Sequence, residues 1–117
     1  MSASRRKGNA LETWVAQRLQ GADGVDRHLA GIQTPTGRMG NTYRLQIDVA
    51  SKHWAAEAKN REDISARLWD WLDQIEAQAK LLDKRGMVVV KRNRRRPLVV
   101  VDAEEFFDLL LWYKEAQ

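Results

Sequence analysis

Asp48, Glu57 and Lys59 stand within the stretch "IDVASKHWAAEAK", two acids and a lysine in segments that otherwise alternate like strands. Aspartate is disfavoured in strands, so its placement there asks for a reason. Two carboxylates with no thiolate or imidazole in the set make an oxygen-rich site that suits Mg²⁺ or Mn²⁺ rather than zinc. Such an ion polarises a phosphodiester and lowers the pKa of an attacking water. A lysine beside it orients that water or offsets charge developing on the phosphate. A cation between the acids also removes their mutual repulsion. The same three residues equally suit the solvated polar face of an antiparallel pair, with a chance Glu–Lys contact.

The elements that must position them are two strands. Tyr43, Leu45, Ile47 and Val49 share one face of the first, and Arg44, Gln46 and Asp48 the other. "ASKH" reads as a tight turn. In the returning strand Trp54, Ala56 and Ala58 share one face, with Ala55, Glu57 and Lys59 opposite. A two-residue turn at Ser51 and Lys52 pairs Leu45 with Ala58, Ile47 with Ala56, and Val49 with Trp54, which makes one face wholly apolar. Asp48 and Glu57 are then diagonal neighbours roughly 7–8 Å apart on the other face. A turn two residues longer or shorter keeps that parity, whereas a one-residue slip destroys it.

Around this pair the pattern predicts a helix over about Asn9 to Leu19, with Leu11, Trp14, Val15 and Leu19 as its apolar stripe and "QGADG" as its stop. Residues 22–42, rich in Gly, Thr and Pro, read as an irregular strand plus a mobile loop. A long helix follows from about Ile64 to Lys84, with Leu68, Trp71, Leu72, Ile75, Ala79 and Leu82 buried and Gly86 ending it. "MVVV" and "LVVV" flank the turn "KRNRRRP", and neither alternates with polar residues, which predicts strands covered on both faces. Asp102 and Glu105 have the spacing of a capping box that opens a last helix with the stripe Phe106, Leu109, Leu110 and Tyr113. The expected fold is α/β: one domain over residues 1–117, a central mixed β-sheet flanked by helices in the order α–(β)–β–β–α–β–β–α, with residues 1–7 as a flexible basic arm.

Composition excludes several classes. The 117 residues are 44% hydrophobic and 31% charged, which fits a globular chain rather than a disordered one. There is no cysteine, hence no disulfide framework and no thiolate metal site. No apolar run approaches a membrane span or a signal segment, so a cytoplasmic protein is expected. The two histidines, His28 and His53, are too scattered for a histidine site. Motifs of serine hydrolases and phosphate-binding glycine loops are lacking. Net charge is +4, and Lys84 to Arg96 holds seven basic residues and no acid, which suits a polyanionic partner or simply a solvated turn.

"ID", eight intervening residues and then "EAK" resembles the signature of the PD-(D/E)XK restriction-endonuclease-like nucleases. The preceding helix "KGNALETWVAQRL" resembles the opening helix of archaeal-type (Hjc-like) Holliday junction resolvases. That resemblance implies a metal-dependent endonuclease that resolves four-way DNA junctions as a two-fold dimer. It also implies that Glu12 completes the metal site with Asp48 and Glu57, that Lys59 is catalytic, and that a glutamine on the long helix, Gln74 before Gln78, lies near the site. On a helical wheel Glu12 falls about 60° from Val15 and about 20° from Leu19, at the edge of the buried stripe. The chain departs from the signature where Ile47 replaces its proline, and the loop before Asp48 offers Thr34, Thr36, Asn41 and Thr42 but no serine.

DNA contacts are expected from Arg5, Arg6 and Lys7 on the arm, from Arg38 between Gly37 and Gly40, and from Arg92, Arg94 and Arg95 in the basic turn. Trp14 and Trp71 fit core stripes, while Trp69 and Trp112 fall off theirs and mark an interface, consistent with a homodimer. Two other readings stay open: a related nuclease acting on flap, nicked or duplex DNA, and a non-catalytic DNA-binding module.

Overall fold

The structure is a computed structural model describing residues 3–40 and 45–117. Its first element, α1 (Ala3–Asp23), places Leu11, Val15 and Ala16 on one buried face. Arg5, Arg6 and Lys7, expected on an arm ahead of the helix, lie within α1, which also runs past Leu19 to Asp23. Residues 24–40 hold a 3₁₀ turn (Arg27–Leu29) capped by the Asp26 carboxylate, with two isolated bridges, Gln33 to Met39 and Arg38 to Val49, in place of the expected irregular strand.

Four strands form one mixed sheet: β1 (Val49–Ala50), β2 (Trp54–Asn60), β3 (Arg85–Lys91) and β4 (Leu98–Val100), in that spatial order. The outer pairs are antiparallel and the central pair, β2 and β3, is parallel. A parallel pair needs a crossover, and α2 (Leu68–Leu81) supplies it. One sheet face packs Val49, Ala56, Ala58 and Val89 against α1. The other packs Ala55, Val88 and Val90 against Trp71, Ile75 and Ala79 of α2. Helices on both faces of a mixed sheet are the expected α/β, restriction-endonuclease-like architecture.

The register differs from the tight-turn expectation by two residues. Val49 pairs with Ala56 and Ala50 with Ala55, so the turn spans Ser51 to His53. Tertiary bonds hold it open: the Asp23 carboxylate accepts from the Ser51 hydroxyl (2.5 Å) and the His53 backbone N–H (2.6 Å). From the other side the buried Lys84 ammonium donates to the carbonyls of Ser51 (2.6 Å) and Lys52 (2.7 Å) and to the Asp26 carboxylate (2.6 Å). The register continued by one residue would set Asp48 opposite Glu57 rather than diagonal to it. The expected common face of Leu45, Ile47 and Val49 is not kept: Val49 packs on the α1 side of the sheet, whereas Leu45 and Ile47 pack on the α2 side, because the chain leaves the strand before Val49. The first strand is shorter than expected, because Leu45 to Asp48 leave the ladder; Tyr43 and Arg44 lie outside the described residues.

The long helix is also shorter, ending at Leu81 in a Schellman arrangement. Lys84 N–H donates to the Ala79 carbonyl (2.9 Å) and Asp83 N–H to that of Lys80 (3.1 Å), with Asp83 at φ 55°. Gly86 is therefore not the helix stop but a residue of β3. A Cβ there would come within 3.0 Å of the Glu76 backbone, so the bare glycine lets α2 lie directly on the strand.

Of the two valine runs, only "MVVV" is enclosed; β4 is the edge strand of the sheet, and its Leu98 and Val99 are exposed because no further strand or helix among the described residues covers it. The last helix, α3 (Ala103–Ala116), opens at Asp102, whose carboxylate accepts the N–H groups of Glu104 (2.9 Å) and Glu105 (3.3 Å). None of its residues is buried, so its apolar stripe finds no core in this chain. Trp14 is also half-exposed, with the Arg18 guanidinium 5.3 Å from its ring. Among the described residues no helix is long and apolar enough to cross a membrane.

Candidate active site

Where the first strand leaves the ladder, Asp48 takes over one of its bonds. Its carboxylate accepts the Ala58 backbone N–H at 2.9 Å, the ladder position facing Ile47. That bond holds the side chain near enough to act on the Glu57 carboxyl by charge and hydrogen bonding. Lys59, two residues on and on the same face, holds its ammonium 3.1 Å from Glu57. The lysine is fixed from beneath as well, since its Nζ lies 5.5 Å from the centre of the buried Trp71 ring. Trp71 also carries Arg61, at 5.7 Å.

Glu57 is mostly enclosed, and burial followed by the negative charge of Asp48 pushes its pKa up to about 7, against the opposing pull of Lys59. Glu57 therefore still carries its proton in much of the population near neutrality. Glu12 reaches the same region from α1. Burial and the field of Asp48 raise its pKa, while Arg38 and Lys59 pull it down. Arg38, a candidate for DNA contact, grips this acid: its guanidinium lies 2.9 Å from Glu12 and 3.3 Å from the Asn9 side-chain amide oxygen. The Arg38–Glu12 pair thereby ties the 34–40 loop to α1.

Glu12, Asp48, Glu57 and Lys59 are thus brought into one electrostatic neighbourhood by α1, the end of β1, and β2. Gln74 is exposed on α2, whereas Gln78 is half-buried with an enclosed carboxamide oxygen that has no hydrogen-bond donor among the described residues. Arg92, Arg94 and Arg95 lie on the exposed β3–β4 hairpin. Sequence reasoning placed Trp71 only in the core and did not foresee its role under Lys59. It also missed the contact of Arg38 with Glu12, because no spacing rule connects a loop residue to a helix 26 positions away.

The donor chemistry suits a hard divalent cation: two neighbouring carboxyls, with a proton on Glu57 that a cation would replace. Among the described residues, however, no three acidic or histidine side chains gather closely enough to form a complete metal cage. Protein ligands supply part of such a coordination sphere, and Mg²⁺ characteristically keeps several waters and takes substrate phosphate oxygens for the rest.

Comparison with curated proteins and with solved structures returns no match. A family model does match, over residues 3–115, from the start of α1 to the end of α3 and across all the acids. With its D…ExK set on a mixed sheet between helices, the chain belongs to the family described as phage putative PDDEXK endonuclease.

Proposed function

We propose that the protein is a divalent-metal-dependent DNA endonuclease that cuts branched DNA, resolving four-way (Holliday) junctions by paired nicks. The observation that carries the nuclease reading is the contact set Asp48–Glu57–Lys59, with the lysine 3.1 Å from an acid whose pKa stands at about 7. Asp48 and Glu57 would hold Mg²⁺ or Mn²⁺, with Glu12 as the third acid, and the ion supplies positive charge that polarises the phosphodiester. Lys59, steadied on the Trp71 face, offsets charge on the phosphate oxygens as the bond breaks. Burial of Glu57 keeps bulk water from screening these charges.

Support for a branched substrate comes from the resemblance to junction resolvases and from a surface suited to a second copy. From Phe106 to Tyr113 every side chain of α3 except Asp108 is apolar or aromatic and exposed, with Trp112 at 66%, and Leu98 and Val99 of β4 add to the area. Exposed aromatic and aliphatic side chains in this number are typical of a surface that another chain covers. A two-fold dimer through α3 and β4 would present two sites, one for each of two opposed strands.

The test is cleavage of a labelled four-way junction with Mg²⁺, with EDTA, and in competition with linear duplex of equal length. Symmetric nicks that require metal and resist the duplex competitor support the proposal. Equal cutting of duplex, flap or nicked DNA retains the nuclease and removes the junction. Binding without cleavage under Mg²⁺ or Mn²⁺ leaves only a DNA-binding module.

A further inference from the structure

The β3–β4 hairpin holds a second feature of chemical interest. It turns with the Arg95 N–H donating to the Arg92 carbonyl (3.1 Å) and with Arg94 at φ 62°. The curl borders a half-open cavity of about 210 Å³ lined by Lys91, Arg92, Arg95 and Arg96 together with the apolar Ile64, Val90 and Leu98. Arg94, expected to bind DNA, does not line it, whereas Arg96 and Lys91 do. Arg92 is held by Glu62, which takes its Nε at 3.2 Å and the Asn93 N–H at 3.1 Å. Neither Arg95 nor Arg96 has an ion-pair partner among the described residues, and no carboxylate lines the cavity.

Four cations around apolar walls suit an anion that carries an apolar body. A bare phosphate would use the arginines and leave Ile64 and Leu98 uncovered, while a nucleotide unit covers both. Position adds to this chemistry. Val90, which also lines the cavity, is the direct partner of Lys59 across the parallel pair. Parallel partners share a sheet face, and adjacent strands lie about 4.8 Å apart. One wall of the cavity therefore stands a single strand spacing from Lys59, on the same sheet face.

We propose that this cavity is a nucleotide-binding subsite, receiving a phosphate with its sugar and base from the DNA strand being cut. The subsite rests on the nuclease reading for its biological ligand but not for its affinity.

The experiment compares wild type with R95A/R96A and with the control R27A/K52A, which removes the same charge at the opposite end of β2. Binding of a labelled single-stranded oligonucleotide is titrated in EDTA across a salt series, and cleavage kinetics are measured with Mg²⁺. For R95A/R96A the salt slope is expected to fall by about 0.7 for each lost phosphate contact. Its Kd should rise at least tenfold more than that of the control, with the kinetic loss falling mainly on KM. On wild type, a deoxynucleoside 5′-monophosphate should compete at least tenfold better than inorganic phosphate. The proposal is overturned if R95A/R96A behaves like the control, if the loss falls on kcat at unchanged KM, or if the two competitors are equivalent. A wild type that binds as expected but cleaves nothing refutes the nuclease reading and leaves the subsite standing.

Discussion

At the scale of single residues, the proton held on Glu57 carries the most information. Glu57 is raised to about 7 in the folded chain from an ordinary value of 4.5. Between those values the native state binds a proton that the unfolded state has released, so stability falls as pH rises through that window. Glu57→Gln removes this strain: at pH 8 the metal-free variant should melt higher than wild type, by an amount worth roughly 2 kcal/mol. The gain should vanish toward pH 4.5, as thermal melts across pH would show. Activity should move the opposite way. Asp48→Asn, Glu57→Gln and Lys59→Ala are each expected to lose at least about 10²-fold in cleavage rate, the scale of removing one preorganised electrostatic group. Retained cutting by these folded variants in a single-turnover assay would sink the site assignment.

Elements carry a different kind of constraint, seen where α2 meets β3. Gly86→Ala places a methyl against the Glu76 backbone, which cannot swing aside as a side chain would. The variant should lose about 1–3 kcal/mol in chemical denaturation, the usual scale of overpacking. This contact also shows what a sequence conceals. Gly86 after an apolar stripe looks like a helix stop, and only the packed pair reveals that the close approach, not the stop, requires glycine. Periodicity did disclose α1, β2, α2, β3 and the Asp102 cap, because those depend on local spacing and on burial within the chain. The shared face of Glu57 and Lys59 on β2 was legible for the same reason. The exact register was not, since Asp23 and Lys84 set it from 28 and 33 residues away. The exposure of β4 and α3 escaped too: an apolar pattern says that a face is to be covered, not by which chain.

For the whole molecule, the uncovered α3 makes association the first property to measure. Sedimentation should give a dimer at micromolar concentration. L111E/W112E, altering two exposed positions, should give a monomer whose helical content is nearly unchanged. A monomeric wild type at that concentration would contradict the two-fold arrangement.

The short β1 and the long β2 have a joint consequence for how substrate is selected. Glu57 and Lys59 sit on an interior strand that pairs along its whole length with β3, meets β1 only at Ala55 and Ala56, and lies between helices on both faces. Such a strand has little freedom to follow its ligand, so the polynucleotide must supply the bending. Deforming a stiff duplex costs on the order of several kcal/mol, while a branch point or a flexible step costs less. Cleavage rates on a series of DNAs of graded stiffness should therefore rank by flexibility, even where the bases touching the protein are identical.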